Sequence, residues 1–326
     1  MSAKSASALA KAKTHLADHL DIVRPDIADV ATTLSIGRTH FGHRSSVAAD
    51  DIQEAAEQLR HTTQSSILDS DKTVFLLPGQ GSQYPGMAAG LYGKDPLFTK
   101  ILDRAAAHLG PNCLTRLLNP EASDILQTEH AQESLFIHEY AMARVWQEVG
   151  VRPTLLLGHS IGEVTAACLA GVFSFEDGLT LVEARGRAMQ AAQPGSMLAL
   201  FHGETSIDCY LGSGIEVAAR NAPGMTVLSG PTNAMDEMTK RFAASGVSAT
   251  PLRTSHAFHS SMMDEAAETF RADIKAIELN APQIPVLSNV SGQILSDEDA
   301  KNPDYWARLV RLPGEFAACA QTVLTG

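Results

Sequence analysis

A serine lies between two glycines in the segment Gly158-His159-Ser160-Ile161-Gly162, which has the pattern GxSxG. The aliphatic run Thr154–Leu157 predicts a strand before it, and the small apolar residues of Glu163–Ala170 predict a helix after it. Such a turn points the serine oxygen at a helix N-terminus, where backbone N–H groups and the helix dipole stabilise a developing oxyanion. Ser160 is therefore a candidate nucleophile. The alternative is a turn serine that caps the helix.

A glycine-flanked glutamine follows another candidate strand. Thr73–Leu77 predicts a buried strand, and Pro78-Gly79-Gln80-Gly81-Ser82-Gln83 comes directly after it. The segment lacks the Gly-Lys-Ser/Thr of a phosphate-binding loop, and Tyr84 stands where a dinucleotide fingerprint needs its third glycine. Gln80 could instead donate its amide to an oxyanion. Taken alone, the segment favours an ordinary polar turn.

Two histidines lie three residues apart in Thr254-Ser255-His256-Ala257-Phe258-His259-Ser260. One of them could act as a base for Ser160, and a histidine that only packs in the core is the alternative. No acid stands out between the serine and the histidines, and Asp177 and Asp208 are only loose candidates. No third ligand lies nearby in sequence, so a metal site is not predicted.

Arg185 borders the apolar face of a predicted helix. That face runs through Leu179, Val182, Gly186 and Met189. An arginine at the edge of a buried face needs an anion, because an unpaired buried guanidinium is costly. Its partner could be a protein carboxylate, such as Glu183 or Glu163, or a substrate carboxylate held in a bidentate fork.

The elements around these residues predict an α/β fold. From Thr73 onward helices and strands alternate, as in a domain with a parallel sheet. Residues 196–253 have the order βαββαβ of a ferredoxin-like unit. Its strands are predicted at Met197–Phe201, Glu216–Arg220, Thr226–Ser229 and Val247–Leu252, and its helices near Asp208 and at Asn233–Ala244. Residues 1–70 form a separate layer, with an amphipathic helix at Ala8–Leu20.

The composition narrows the classes of partner. The chain has 326 residues, a net charge of −12 and no basic cluster, which disfavours nucleic acid. It has no run of about eighteen apolar residues and no apolar signal-peptide core, so neither a membrane span nor secretion is predicted. The absence of a CxxC pair favours a reducing compartment, here the cytoplasm, and disfavours a zinc site. The cysteines are Cys113, Cys168, Cys209 and Cys319.

In combination, these features resemble the acyltransferase domains of modular polyketide synthases and the malonyl-CoA:acyl carrier protein transacylases of fatty acid synthesis. The motifs that match are Gly79–Gln83, Gly158–Glu163, Arg185 and His256–His259, in that order along the chain. The resemblance extends from about residue 71 to the end. Residues 1–70, which include Arg38-Thr39-His40-Phe41-Gly42-His43-Arg44, resemble the linker domain between a ketosynthase and its acyltransferase.

The resemblance implies a hydrolase-like parallel-sheet core with a GxSxG nucleophile elbow, an inserted ferredoxin-like subdomain and an N-terminal α+β linker domain. The expected boundaries are 1–70 for the linker domain, 71–195 and 256–326 for the large subdomain, and 196–255 for the small one. The sequence departs from the family in two places. Pro313-Gly314-Glu315-Phe316 replaces the usual Pro-Val-x-Phe, and the family's further strand with a Gly-Pro turn does not follow.

The resemblance also implies roles for individual residues. Ser160 is the expected nucleophile, and His259 is the expected general base, in a dyad whose histidine is held by backbone carbonyls. Gln80 and the N–H of Ile161 are the expected oxyanion donors, and Arg185 is the expected partner of the free carboxylate of a malonyl group. His159 is expected to orient the elbow. The residues expected in the substrate pocket are His159, Met189, Asn221, His256 and Phe258.

The implied reaction moves an acyl group from CoA to the phosphopantetheine arm of an acyl carrier protein through an acyl-serine, without a covalently bound cofactor. The implied partners are malonyl-CoA, the carrier protein and an adjoining ketosynthase. Malonyl is expected rather than methylmalonyl, because Ile161 and the HAFH motif resemble the malonyl-selective pattern and the Phe258 ring can fill the space of an α-methyl group. The alternatives are a serine hydrolase or editing thioesterase, a non-catalytic docking domain, or an acyltransferase for another starter or substituted malonyl unit.

Overall fold

The computed structural model describes residues 1–62, 65–66, 72–203, 207 and 210–325. The chain divides into two compact units, Met1–Asp71 and Lys72–Gly326. No helix within the described residues is long and apolar enough to cross a membrane.

The first unit combines helices with a short antiparallel sheet. Its helices are α1 (Ala6–Val23), α2 (Ile27–Ile36) and α3 (Ile52–His61), and its strands are β1 (Ser2–Ala3), β2 (His43–Arg44) and β3 (Ser65–Ser66). Strand β2 pairs antiparallel with both β1 and β3. Each helix begins after a capping side chain, from Ser5, Asp26 and Asp51 respectively. The predicted helix Ala8–Leu20 is confirmed as the central part of α1, which packs its apolar face on α3.

The second unit alternates helices and strands. Its helices are α4 (Pro96–Leu109), α5 (Asn112–Leu118), α6 (Thr128–Glu148), α7 (Ile161–Leu169), α8 (Phe175–Gln190), α9 (Thr232–Ser245), α10 (Asp264–Ile274), α11 (Asp297–Ala300), α12 (Pro303–Arg311) and α13 (Phe316–Thr325). Its strands are β4 (Val74–Leu77), β5 (Leu155–Gly158), β6 (Ser196–Phe201), β7 (Glu216–Ala222), β8 (Met225–Gly230), β9 (Ser248–Pro251) and β10 (Val286–Leu287). Short 3-10 turns occupy Ser123–Leu126 and Ser261–Met263.

A parallel sheet with the strand order β10-β5-β4 confirms the predicted α/β class. In the central strand β5, Leu156 belongs to the main core with α6, α7 and α8, whereas Leu157 belongs to a smaller cluster with Cys319 of α13. Both faces of β5 are therefore buried. This explains why its sequence is a continuous apolar run rather than an alternating one.

A second, antiparallel sheet has the strand order β7-β8-β6-β9. Helix α9 packs Met235, Met238 and Phe242 into a cluster with Leu198 and Leu228 of the sheet. The predicted strands of this segment and its second helix are confirmed, and their ends differ from the prediction by one or two residues at most. The helix predicted near Asp208 lies outside the described residues.

Candidate active site

Ser160 occupies a sharp turn between β5 and α7. Its backbone has φ 52° and ψ −107°, and its side chain makes no capping hydrogen bond to the helix, which disfavours the cap interpretation. A Cβ at Gly158 would lie 2.0 Å from the carbonyl carbon of Gly162, and one at Gly162 would lie 2.2 Å from the Leu77 oxygen. Only glycine therefore fits on either side, because β5, α7 and β4 approach each other through bare backbone.

His259 supplies the histidine partner of Ser160. Its Nε2 lies 3.0 Å from the Ser160 Oγ, and its Nδ1 lies 2.8 Å from the Leu312 carbonyl oxygen. Because a carbonyl only accepts, the Leu312 contact places the proton on Nδ1 and leaves Nε2 free to accept from the serine. Asp177, a loose candidate for a third member, instead bonds the Ser174 hydroxyl, and Asp208 lies outside the described residues.

Burial keeps His259 neutral. Desolvation is the main cause that lowers the pKa of its imidazole to about 3, Arg185 and His159 act in the same direction, and the Leu312 carbonyl opposes them. The ring is therefore an unprotonated base at neutral pH. This state is the one that can take the proton of Ser160.

Arg185 of α8 is 1% exposed and points at the same serine. Its Nη1 donates to the Gln132 Oε1 at 2.6 Å and its Nη2 to the Ser160 Oγ at 3.1 Å, while its Nε–H has no partner. Neither Glu163 nor Glu183 forms an ion pair with it among those of the described residues. Burial lowers its pKa to about 10, and the charge of Glu163 opposes this, so the guanidinium stays charged at neutral pH. It is a buried cation with unused hydrogen-bonding capacity.

Two expected oxyanion donors border the serine. Ile161 is the first residue of α7, where N–H groups have no acceptor within the helix. Gln80 lies in the loop after β4, and its Nε2 donates to the Thr128 Oγ1 at 3.4 Å. That bond leaves one of the two amide protons of Gln80 for another acceptor.

A cavity of about 450 Å³ brings most of the predicted site residues together. Its lining includes Gln80, His159, Ser160, Ile161, Arg185, Met189, Asn221, Phe258 and His259. His159 Nε2 contacts the Asn221 Oδ1 at 2.9 Å, which joins the elbow to β7. His256 does not line the cavity. It is buried behind Phe258, with ring centroids 5.9 Å apart and its Nδ1 2.7 Å from the Ser255 hydroxyl.

The remaining wall of this cavity is mostly apolar and carries no acid. Met197, Ala219 and Val227 come from the antiparallel sheet, and Pro251–Thr254 from the end of β9 and the segment that follows it. The exposed Arg253 is in this segment, and no described carboxylate pairs with it. Among the described residues, no group of three or more His, Cys, Asp or Glu side chains is arranged to hold a metal ion.

Sequence reasoning missed Asn289, which follows β10 and is 1% exposed. Its side chain bonds the backbone of Gly158 and Ser160, and its own N–H donates to Glu163. A signal for it was present, because polar residues that follow a buried parallel strand, here Ser288 and Asn289, lie at the sheet edge where functional groups collect.

A parallel sheet that presents a Ser–His pair on such an elbow is typical of enzymes that form an acyl-serine. The comparisons narrow this class. A family model described as acyl transferase domain matches residues 74–325, and one described as CurL-like, PKS C-terminal, matches residues 1–59. The chain belongs to the acyltransferase domains of modular polyketide synthases.

Relatives and solved structures agree with this family. A phenolphthiocerol/phthiocerol polyketide synthase protein of Mycobacterium tuberculosis is 33% identical over 99% of this chain, which spans only 23% of that protein. The acyl transferase domain of SpnD, in complex with 2-(pent-4-yn-1-yl)malonyl, has a TM-score of 0.90 at 33% identity, covering 99% of this chain and 80% of that one. The malonyl-CoA:acyl carrier protein transacylase FabD of Xanthomonas oryzae has a TM-score of 0.73 at 32% identity, covering 79% and 85%.

Proposed function

We propose that this chain transfers a malonyl group from CoA to the phosphopantetheine arm of an acyl carrier protein. The observation that carries the proposal is Arg185, a buried cation with an Nη2 3.1 Å from the Ser160 Oγ and an unpartnered Nε–H. A malonyl thioester that reacts at Ser160 brings a free carboxylate to this guanidinium. An acetyl group offers no such charge.

In the proposed first half-reaction, His259 Nε2 takes the Ser160 proton while Oγ attacks the thioester carbonyl. The oxyanion that forms is met by the N–H of Ile161 and by the Gln80 amide. The C–S bond then breaks, and the CoA sulfur takes the proton from Nε2. In the second half-reaction, the phosphopantetheine thiol gives its proton to Nε2 and its sulfur attacks the malonyl-serine carbonyl. The C–Oγ bond then breaks, and Oγ takes the proton back from Nε2, which restores the Ser160 hydroxyl.

An editing thioesterase is the rival function, because the same dyad could activate water. The side chains of Met189, Met197 and Val227 line the cavity and offer no strong hydrogen-bonding group to hold an attacking water. Arg185 also selects for a charged acyl group, which a general thioesterase does not require. These two features favour transfer to a thiol.

The size of the acyl group is proposed from Phe258. Its ring is 7% exposed and lines the cavity directly before His259 in the sequence. The SpnD domain, which is 33% identical, was solved with a substituted malonyl group, so membership of the family leaves the substituent open. We assign malonyl because the Phe258 ring occupies space that an α-methyl group would need.

Arg253 is suited to bind a phosphate at the end of the substrate away from the acyl group. It is an exposed cation on the wall of a cavity whose described lining contains no carboxylate. CoA carries a pyrophosphate and a 3′-phosphate, and phosphopantetheine carries a phosphate. The proposal therefore places the malonyl carboxylate at Arg185 and a phosphate at Arg253.

The domain roles are part of the same proposal. Residues 71–195 and 256–326 form the hydrolase-like large subdomain, and residues 196–255 form a ferredoxin-like one, supported by the strand order β7-β8-β6-β9. Residues 1–70 form the linker domain next to a ketosynthase, supported by the family match at 1–59. A reducing cytoplasm is supported by Cys113, Cys168 and Cys319, which are buried and unpaired, while Cys209 lies outside the described residues.

Intact-protein mass spectrometry after mixing with malonyl-CoA or acetyl-CoA tests the proposal. The wild type is expected to gain a malonyl mass, and Ser160→Ala to gain none. His259→Ala should acylate about 10²–10⁴ times more slowly, the usual effect of losing a positioned base. Arg185→Ala should lose malonyl transfer far more than acetyl transfer, by about 2–5 kcal/mol, because only malonyl carries the second charge.

Three outcomes would contradict the proposal. A mass gain that persists in Ser160→Ala would remove the nucleophile. Equal losses of both acyl groups in Arg185→Ala would make the arginine structural. Release of the acyl group to water as fast as to a phosphopantetheine thiol would make the chain a thioesterase.

A further inference from the structure

Asn289 is a buried asparagine whose side chain makes two hydrogen bonds to the backbone of the turn that carries Ser160. Its Nδ2 donates to the Gly158 carbonyl at 2.6 Å, and its Oδ1 accepts from the Ser160 N–H at 3.3 Å. The two contacts bracket His159, so one amide group spans the tightest part of the turn. Strand β10, which precedes Asn289, pairs with β5, which precedes the turn.

The two contacts fix the orientation of the amide. The Gly158 carbonyl can only accept a hydrogen bond, and the Ser160 N–H can only donate one. An amide turned by 180° about its last bond would set oxygen against oxygen and nitrogen against nitrogen. The site therefore requires one donor and one acceptor in this order, which asparagine supplies and an ionised aspartate does not.

A buried hydrogen-bond network contacts the backbone of Asn289. Its backbone N–H donates to the Glu163 Oε2 at 2.7 Å, and the Tyr305 hydroxyl donates to the other carboxyl oxygen of Glu163. The Ser288 Oγ lies 2.6 Å from the Tyr305 hydroxyl. All of these side chains are at most 2% exposed. The network connects α7, α12 and the end of β10, so Asn289 cannot shift without breaking several buried bonds.

The backbone of Ser160 needs such support. A φ of 52° with a ψ of −107° is a sparsely populated conformation for a serine, and it persists only when its surroundings hold it. This conformation sets the direction of the hydroxyl towards His259. A misplacement of about 1 Å at a reacting group costs about a hundredfold in rate.

We propose that Asn289 is a positioning residue that holds the Ser160 backbone in the strained turn, and that Glu163 and Tyr305 in turn fix Asn289. Asn289 touches neither substrate nor the reacting oxygen, and it acts through Ser160. The inference rests on the proposed role of Ser160 as nucleophile, but not on the identity of the acyl group.

Burst kinetics on the full chain test this inference. The probes are p-nitrophenyl acetate, an activated ester without a carboxylate or CoA, and malonyl-CoA. Asn289→Asp keeps the shape but, when ionised, sets an acceptor against the Gly158 carbonyl, and Asn289→Ala removes both contacts. Both variants are expected to acylate about a hundredfold more slowly per active site with either probe, with a half-saturating malonyl-CoA concentration within about twofold of wild type.

The amplitude of the burst separates positioning from stability, because it counts folded active sites, whereas the rate constant reports their geometry. Asn119→Ala is the matched control. That asparagine follows α5 and accepts from the Glu121 N–H at 3.0 Å, so its loss weakens a turn that is not part of this network. The acylation rate constant of this control should not change.

A lower amplitude at an unchanged rate constant in the Asn289 variants would overturn the inference, and so would a raised half-saturating malonyl-CoA concentration alone. A wild type that reacts with the ester and not with malonyl-CoA would refute only the proposed acyl group.

Discussion

Ser160 and His259 share a backbone feature besides their contact. Both have positive φ, 52° and 57°, a region that residues other than glycine rarely adopt and that costs about 1–3 kcal/mol each. The Ser160 N–H donates to Asn289, and the ring of His259 donates to the Leu312 carbonyl. Among the described residues only Arg24 and Ser213 share this feature, so the two residues that must meet make up half of the non-glycine residues with positive φ. This arrangement keeps Oγ and Nε2 3.0 Å apart without a carboxylate on the histidine.

Phe258 allows a test of acyl selectivity at the residue scale. In a competition between malonyl-CoA and methylmalonyl-CoA at equal concentration, we expect the wild type to favour malonyl about ten- to hundredfold. The reason is that overfilling a packed pocket costs about 1–3 kcal/mol. Phe258→Ser opens this space, so the variant should take up more methylmalonyl. The measurement is the mass of the acyl-enzyme.

Phe201→Ser is the matched control for this competition, because Phe201 is 50% exposed on β6 and does not line the cavity. It should leave the ratio of the two acyl groups unchanged. If the wild type takes both groups equally, or if Phe258→Ser leaves the ratio as it was, then Phe258 is only core packing and another residue sets the selectivity.

At the scale of elements, the site depends on how closely β4, β5 and α7 approach. Gly162→Ala tests this approach, because the added Cβ would lie 2.2 Å from the Leu77 oxygen and 2.7 Å from the Pro78 oxygen, both backbone atoms. We expect the free energy of unfolding in urea to fall by about 1–3 kcal/mol or more. Acylation should slow as well, because α7 carries the N–H of Ile161.

Gly90→Ala is the control for the elbow glycine. Nothing lies within 4 Å of a Cβ at Gly90, and its φ is not positive, so this substitution should leave stability unchanged or raise it slightly. A Gly162→Ala protein as stable and as fast as wild type would mean that the elbow is less tightly packed than these distances indicate.

The sequence predicted the elements better than their long-range contacts. Runs such as Leu155–Gly158 and the spacing of the antiparallel strands are local patterns, and they located both sheets. Helix α7 begins at Ile161, two residues before the predicted start, because the elbow turns directly into the helix. The sequence could not show that His259 lines the cavity and His256 does not, because the local pattern does not distinguish two histidines three residues apart.

The contacts that hold the elbow are the part that the sequence did not indicate. Glu163 and Asn289 are 126 residues apart, and Glu163 and Tyr305 are 142 apart, so no local pattern joins them. Gly314, where the sequence departs from the family's Pro-Val-x-Phe, also makes long-range contacts that no local pattern indicates. Its N–H donates to the Ala218 carbonyl and its carbonyl accepts from the Arg220 N–H, so backbone rather than side chain joins this segment to β7.

At the scale of the whole molecule, the net charge of the chain has the same sign as the proposed substrate and therefore repels it. The chain carries a net charge of −12, and CoA and its phosphopantetheine arm are anionic. The cavity differs from the molecule as a whole, because its described lining holds Arg185 and Arg253 and no acid. A local positive site within a negative molecule attracts phosphates only at short range, since salt screens the wider field.

Arg253→Gln tests whether this local charge guides the substrate. For malonyl-CoA at low ionic strength, kcat/KM should fall about five- to tenfold, because loss of a charge at the rim of a site mainly slows association. S-malonyl-N-acetylcysteamine has the same acyl group without phosphates, so its kcat/KM should not change. The difference between wild type and variant should shrink as salt is added.

Arg152→Gln is the control, because it removes the same charge from an exposed residue outside the cavity, and it should leave kcat/KM for both substrates unchanged. If Arg253→Gln slowed both thioesters equally, Arg253 would shape the cavity rather than bind a phosphate, and if neither slowed, the phosphates would bind elsewhere.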